Sequence, residues 1–162
     1  MMGNSNLKLL ATIGLLTLSF AATAAMEDKK EMKEMVNGAS VNLPVTQLKY
    51  SDTGLFGIDK SVGTLKVAPA YGNLQSGAHG TFVKMPAGYV SEPHVHTGEY
   101  YAVVISGVGV NGLPGSKDIA LPVGSYWSQK GGENHVTKCI SPNECIFFIN
   151  QNVKFDELFD KK

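Results

Sequence analysis

From Val41 onward the sequence predicts an all-β fold, an antiparallel sandwich or barrel, and two observations carry that prediction. Short apolar runs are broken by Gly, Pro, Asn and Asp roughly every ten residues, a rhythm of strands joined by turns rather than of strands alternating with helices. The chain also has 18 Gly, which leaves little room for long helices.

Taken in order, residues 1–24 read as a secretory signal peptide. Lys8 gives a modest positive start, Leu9 to Phe20 an apolar run, and Ala21-Ala22-Thr23-Ala24-Ala25 a small-residue site with cleavage expected after Ala24. The apolar run is about twelve residues, short of the roughly twenty that span a membrane. No Cys follows it, so a lipid anchor is not indicated, and the expected location is periplasmic or secreted with no membrane association after signal removal. Residues 25–40 are a charged leader with a thin methionine stripe, helical or disordered, that buries little on its own.

The predicted barrel domain spans 41–155, followed by a tail over 156–162; Phe155 to Lys162 reads as a helical turn or a loose end. Expected strands are Gln47–Tyr50, Thr64–Val67, Gly80–Met85, Tyr100–Ser106, Val108–Val110, Asp118–Ala120, Ser125–Trp127, Asn134–Ile140 and Cys145–Asn150. With 162 residues there is room for one such core.

Charge narrows the partners. All 14 strong cations are lysines, balanced by 14 acidic residues. Without guanidinium groups the chain lacks the bidentate clamp for phosphate and carboxylate, so nucleic acid and heavily phosphorylated substrates are not expected.

An exported chain can form disulfides. Cys139 and Cys145 flank a Pro142-Asn143 turn between two apolar strands, where facing positions of a hairpin could be bridged; two small buried thiols are the alternative. A zinc site on this pair alone is not expected, since no other Cys exists to complete four ligands.

The chemistry concentrates in Gly88-Tyr89-Val90-Ser91-Glu92-Pro93-His94-Val95-His96-Thr97-Gly98-Glu99. Two histidines one residue apart share a face of an extended segment, which offers two imidazoles to one metal. His135 closes a second Gly-rich, aromatic run about forty residues on. His79 belongs to neither run and reads as an ordinary surface or core residue.

These two runs resemble the paired motifs of cupins. Gly88-x5-His94-x-His96 followed by Gly107 is similar to the first motif, and Gly124-x5-Lys130-x-Gly132-x2-His135 to the second, with Lys130 standing where the family has proline and Cys139 where it usually has asparagine. The wording around Gly80–Gly107 and Pro122–His135 is similar to exported single-domain cupins of the DUF4437 type. The resemblance implies a small antiparallel jelly-roll barrel with one divalent metal inside, held by His94, His96 and His135 and by a glutamate of the first motif. That glutamate is displaced: the expected interval lands on Tyr100, and Glu99 is one residue early, which on a strand points to the opposite face. Either a bulge at Thr97-Gly98 brings Glu99 to the metal, or three histidines hold it and Tyr100 faces inward. The second arrangement is favoured, with Glu99 or Tyr100 orienting or protonating a substrate.

Imidazole ligands suit iron, manganese, zinc, copper or nickel and do not choose among them. Tyr89, Tyr101, Tyr126 and Trp127 are expected to line a pocket or the core, with Lys84 and Gln129 as polar pocket groups. The implied function is an exported metal-binding cupin acting on a small organic molecule, with oxygenase-type chemistry by family analogy; a non-catalytic ligand- or metal-binding module is the alternative. Cupins often pair, so a homodimer is compatible.

Overall fold

Strand-forming segments close on one another here because their side chains alternate between a buried and a more exposed face, as in Tyr100–Ser106, where Tyr100, Ala102 and Val104 are buried and Tyr101, Val103 and Ile105 exposed. The computed structural model describes residues 40–159, so the signal peptide and most of the leader lie outside the described residues. Eight strands are present: β1 (Ser51–Phe56), β2 (Thr64–Gly72), β3 (His79–Met85), β4 (Tyr100–Ser106), β5 (Gly109–Gly112), β6 (Tyr126–Gln129), β7 (Val136–Cys139) and β8 (Cys145–Gln151). Six form an antiparallel sheet in the order β1-β2-β3-β8-β4-β6, while β5 pairs with β7. This second sheet is widened by Gly88–His94, which runs antiparallel to β7 through Ser91 N to Thr137 O, Cys139 N to Tyr89 O and His94 N to His135 O. The result is the jelly-roll architecture of the cupin barrel. Among the described residues no helix is long and apolar enough to cross a membrane.

Register sorts the interior into layers. His79, Gln151, Tyr100 and Gln129 lie side by side across β3, β8, β4 and β6, forming a polar row at one end. The next row is Thr81, Ile149, Ala102 and Trp127, and the next brings Val83, Phe147 and Val104 together. The far end is apolar, with Met85, Val104, Cys139, Cys145 and Phe147 packed as one cluster and Phe147 edge-on to Trp127 at 5.1 Å.

Several expected strands shift. Gln47–Tyr50 is not a strand: Val45–Gln47 makes a 3-10 turn after Pro44, and pairing begins at Ser51. That first strand contains Asp52 and Gly54, residues that read as a turn, yet at the sheet edge Asp52 accepts a 2.6 Å hydrogen bond from Thr64 across the ladder. Asp118–Ala120 is also irregular, and only Leu121 bridges, to Gly109. β2 runs on through Pro69 to Gly72, with a register shift between Pro69 and Tyr71 that accommodates the missing N–H.

Cys139 and Cys145 are bonded, with Cα atoms 5.7 Å apart. They are not facing residues of a hairpin, because β7 pairs with β5 and β8 with β3 and β4. The bond instead ties one sheet to the other within the apolar end. It closes a loop with a sequence separation of 6, for which lost chain entropy is worth about 2 kcal/mol. Replacing both cysteines by alanine is therefore expected to lower unfolding free energy by at least that amount in denaturant titrations; an unchanged midpoint would contradict it.

Candidate metal centre

Two backbone hydrogen bonds build the centre. His94 N donates to His135 O at 3.1 Å and His135 N to His94 O at 3.0 Å, so the two residues are a directly opposed pair. Their side chains share a face, and His96, two residues on, joins them. Gly132 N donates to His96 O at 2.8 Å, which locks the second Gly-rich run beside the first. A side chain at Gly131 would place its Cβ 2.5 Å from Thr97 O, so glycine is what permits this approach.

The three rings converge, with centroids 4.2 Å apart for His94–His135, 4.9 Å for His94–His96 and 5.1 Å for His96–His135. All three side chains are buried. Each Nδ1 faces a backbone carbonyl: His94 to Glu92 O at 2.7 Å, His135 to Glu133 O at 3.2 Å and His96 to Asp156 O. A carbonyl only accepts, so each Nδ1 carries the proton and each Nε2 presents its lone pair. Oriented imidazoles of this kind are how proteins prepare metal ligands. The donor set fits one metal ion, with a ligand atom from each histidine all within 4.8 Å of one another.

Electrostatics favour the same state. Burial, reinforced by neighbouring histidines, pushes His135 down to about 3 and His96 down to about 4 from an ordinary 6.5. His96 and His135 stay neutral, as ligation requires.

Glu99 and Tyr100 part company. His96 and Tyr100 share parity, so Tyr100 points inward, buried, with its hydroxyl 3.5 Å from His135 Nε2. Trp127 Nε1 donates to that hydroxyl at 3.3 Å, and burial pushes Tyr100 up to about 12, which keeps it protonated. Glu99 is exposed and accepts a 2.7 Å hydrogen bond from the Tyr101 hydroxyl on the outer surface. The structure does not bring it to the histidines: the chain bends at Thr97-Gly98, yet Glu99 stays on the outer side with Tyr101.

A cavity of about 390 Å³ opens from the histidines into the barrel. Tyr89, Tyr100 and Trp127 line it. Tyr101 and Tyr126, at 38% and 57% exposure, face outward on β4 and β6. Gln129 is buried but turned toward Asn111, whose Nδ2 donates to it at 2.9 Å. Lys84 is outside the cavity and pairs with Glu144 at 2.8 Å. The cavity has apolar walls in Leu65, Val67, Val83, Phe147 and Ile149, and no lysine lines it.

Among the cavity residues not anticipated are His79, Thr81, Gln151 and Glu157. His79, Thr81 and Gln151 form a polar patch, with His79 Nδ1 2.9 Å from Thr81 Oγ1 and Nε2 3.2 Å from Gln151 Oε1. Strand parity with Phe147 and Ile149 on β8 could have placed Gln151 inward. The fourth is Glu157. The segment read as a tail runs extended over 155–159 and forms no helical turn; Leu158 and Val95 exchange hydrogen bonds of 3.0 and 2.9 Å. This strap puts Phe155 5.2 Å from the His96 ring and Glu157 Oε1 3.6 Å from His94 Nδ1. Burial pushes the Glu157 carboxyl up. Alternation of Phe155, Glu157 and Phe159 was the available signal.

Neutral histidines carry a pH signature. Unfolded chains bind protons from about 6.5 downward, whereas folded His96 and His135 resist until about 4 and 3, so their contribution is full above 6.5 and is lost as pH falls through that window. Glu157, shifted upward, acts in the opposite sense, so the test uses metal-free Glu157→Gln. Its melting temperature should fall between pH 7 and 4.5; a flat profile would contradict neutral histidines.

The sequence matches the domain of unknown function DUF4437 over residues 65–160. No curated protein matches it. Among solved structures, the polyketide cyclase RemF from Streptomyces resistomycificus superposes with a TM-score of 0.62 at 14% identity, over 76% of this chain and 87% of that one. A predicted oxalate decarboxylase from Thermotoga maritima gives 0.54 at 18%, over 70% and 99%, and a cupin-2 domain protein from Rhodospirillum rubrum 0.57 at 10%, over 76% and 82%. At these identities the likeness is one of fold.

Proposed function

The chain belongs to the DUF4437 family and to the cupin superfamily, and from that premise we propose that it is an exported cupin holding one divalent metal on His94, His96 and His135 and acting on a small organic molecule. The observation that carries this reading is the convergence of three buried imidazoles whose Nδ1 atoms all face backbone carbonyls. A disulfide inside the fold agrees with an oxidising compartment.

Cavity chemistry narrows the substrate class. Its walls are mostly apolar and aromatic, and no cationic side chain lines it. A free anion entering there would lose water without gaining a counter-charge from the protein. The substrate is therefore a neutral, largely apolar molecule carrying an oxygen that reaches the histidine end. RemF, a polyketide cyclase by name, shares this fold, and a compact aromatic ketone or phenol suits the cavity described here.

A divalent metal bound at the histidines supplies Lewis acidity and open positions for a substrate oxygen or for dioxygen. The protein's own groups do the rest. Phe147, Val83 and Ile149 exclude water, and Thr81 and Gln151 offer hydrogen bonds to a polar edge of the substrate. Tyr100, held by Trp127, keeps its proton beside His135 and donates it to oxygen at that end. Oxygenase-type chemistry is the reaction class this combination supports best.

Metal analysis of protein purified from its native compartment should find about one iron or manganese per chain, abolished in His96→Ala. Tyr100→Phe should retain metal and lower turnover by about 10²-fold, the usual contribution of a positioned proton donor. Oxygen uptake across diketones and phenols separates enzyme from binder: uptake by none of them, with tight binding of one, would make this a binding module. Wild-type protein that takes up no metal would sink the proposal entirely.

A further inference from the structure

Two of the three histidines are oriented by their own segments. His94 Nδ1 donates to Glu92 O at 2.7 Å and His135 Nδ1 to Glu133 O at 3.2 Å, in each case the carbonyl two residues earlier. The equivalent carbonyl for His96 is that of His94, and it is engaged by His135 N at 3.0 Å in the backbone pair that builds the centre. His96 takes its acceptor from a distant part of the chain instead, and the carbonyl that meets its Nδ1 belongs to Asp156.

A series of contacts places that carbonyl. Leu158 and Val95 exchange backbone hydrogen bonds of 3.0 and 2.9 Å, Asp156 Oδ1 accepts from Thr97 N at 2.9 Å, and Gln151 Nε2 donates to Gly98 O at 3.1 Å. Followed backward from Leu158 to Gln151, the strap meets Val95, His96, Thr97 and Gly98 in turn. Val153 closes over Gly98, where a Cβ would lie 2.2 Å from its side chain. Asp156 grips two successive residues, His96 with its carbonyl and Thr97 with its carboxylate.

The strap is shallow. None of residues 152–159 is fully buried, and Leu158 and Phe159 are 48% and 51% exposed, whereas the His96 that the strap holds is 3% exposed. An element that buries so little opens locally at a lower cost than the barrel on which it lies. Opening it releases one imidazole and leaves the carbonyls that orient the other two in place.

We infer that His96 is the conditional ligand of the centre and that Asp156 is its positioning residue, the group that fixes the Nδ1–H tautomer and leaves Nε2 for the metal shared with His94 and His135. The ligand role of His96 rests on the metal reading above; its tautomer does not. Metal affinity then depends on the C-terminal strap as well as on the two motifs: three oriented imidazoles are present when it is docked and two when it is displaced. An orienting partner of a metal-bound histidine contributes about ten- to a hundredfold to affinity.

Two measurements on the full chain test this. Long-range ¹H–¹⁵N correlation spectra of metal-free protein report the tautomer of each histidine, and wild type should show Nδ1–H at His94, His96 and His135. Asp156→Ala removes the grip on Thr97, and Leu158→Pro removes one hydrogen bond of the pair with Val95. The double variant should lose the single tautomer at His96 while His94 and His135 keep theirs, which also shows that the barrel is folded. Competition titration should find its Zn²⁺ binding weakened about tenfold or more, with Asp156→Asn, which keeps an acceptor for Thr97 N, within about threefold of wild type. A fixed Nδ1–H at His96 in the double variant overturns the inference whatever the metal does. Wild-type Zn²⁺ affinity in the double variant, with binding abolished in His96→Ala, overturns it too and leaves the metal reading standing. Wild-type protein that takes up no Zn²⁺ overturns the metal reading, and the spectra still decide whether Asp156 positions His96. Asp156→Asn as weak as Asp156→Ala would overturn the anchoring role of Oδ1.

Discussion

Everything at the centre depends on the reciprocal backbone pair between His94 and His135. Because side chains alternate with period two, this pair decides which residues of two distant segments face each other, and a slip of one residue on either side would turn its histidines outward. Gly131 lets the second segment lie close enough for the pair to form, Gly132 takes the left-handed turn beside it, and the sheet behind β7 then holds it. The convergence of the rings is thus a consequence of register rather than of attraction among the imidazoles.

The same register produces the gradient along the barrel interior. Where β3, β8, β4 and β6 run side by side, one row is polar and the rows beyond it are apolar, ending at the disulfide. Polar groups in the first row are satisfied by one another and by their surroundings: Gln151 Nε2 donates to Gly98 O at 3.1 Å, His79 spans Thr81 and Gln151, and Gln129 accepts from Asn111. Such a row can face an occupied cavity without the penalty of orphaned donors. The apolar end, by contrast, is sealed by Phe147 and the Cys139–Cys145 bond, and it supplies most of the burial that holds the two sheets together.

Much of this was legible in the residues because it follows from local parity and spacing. Tyr100–Ser106 matches its strand end to end, and the even interval from His96 to Tyr100 already implied an inward tyrosine and an outward Glu99. What escaped was set by distant partners. Ser51–Phe56 carries Asp52 and Gly54 and became a strand through its edge pairing to β2. Tyr101 and Tyr126 look like pocket aromatics by proximity to the motifs, yet odd parity sends them to the surface. Glu157 had only the alternation of Phe155, Glu157 and Phe159 to mark it, and its place beside the histidines depends on a distant pairing between Val95 and Leu158.

That long-range pairing also bears on how the centre assembles. His96 and Asp156 are separated by 60 positions in sequence, so the carbonyl that fixes the His96 tautomer arrives only when the end of the chain docks. Because β8 already sets Gln151 opposite Tyr100, docking closes only the short stretch after Gln151, through the Val95–Leu158 pair, Phe155 N to Leu74 O at 2.8 Å, Thr97 N to Asp156 Oδ1 at 2.9 Å and two aromatic covers. Metal binding and closure of the strap are then linked in both directions, because whatever stabilises the closed state raises metal affinity and whatever binds metal holds the strap closed.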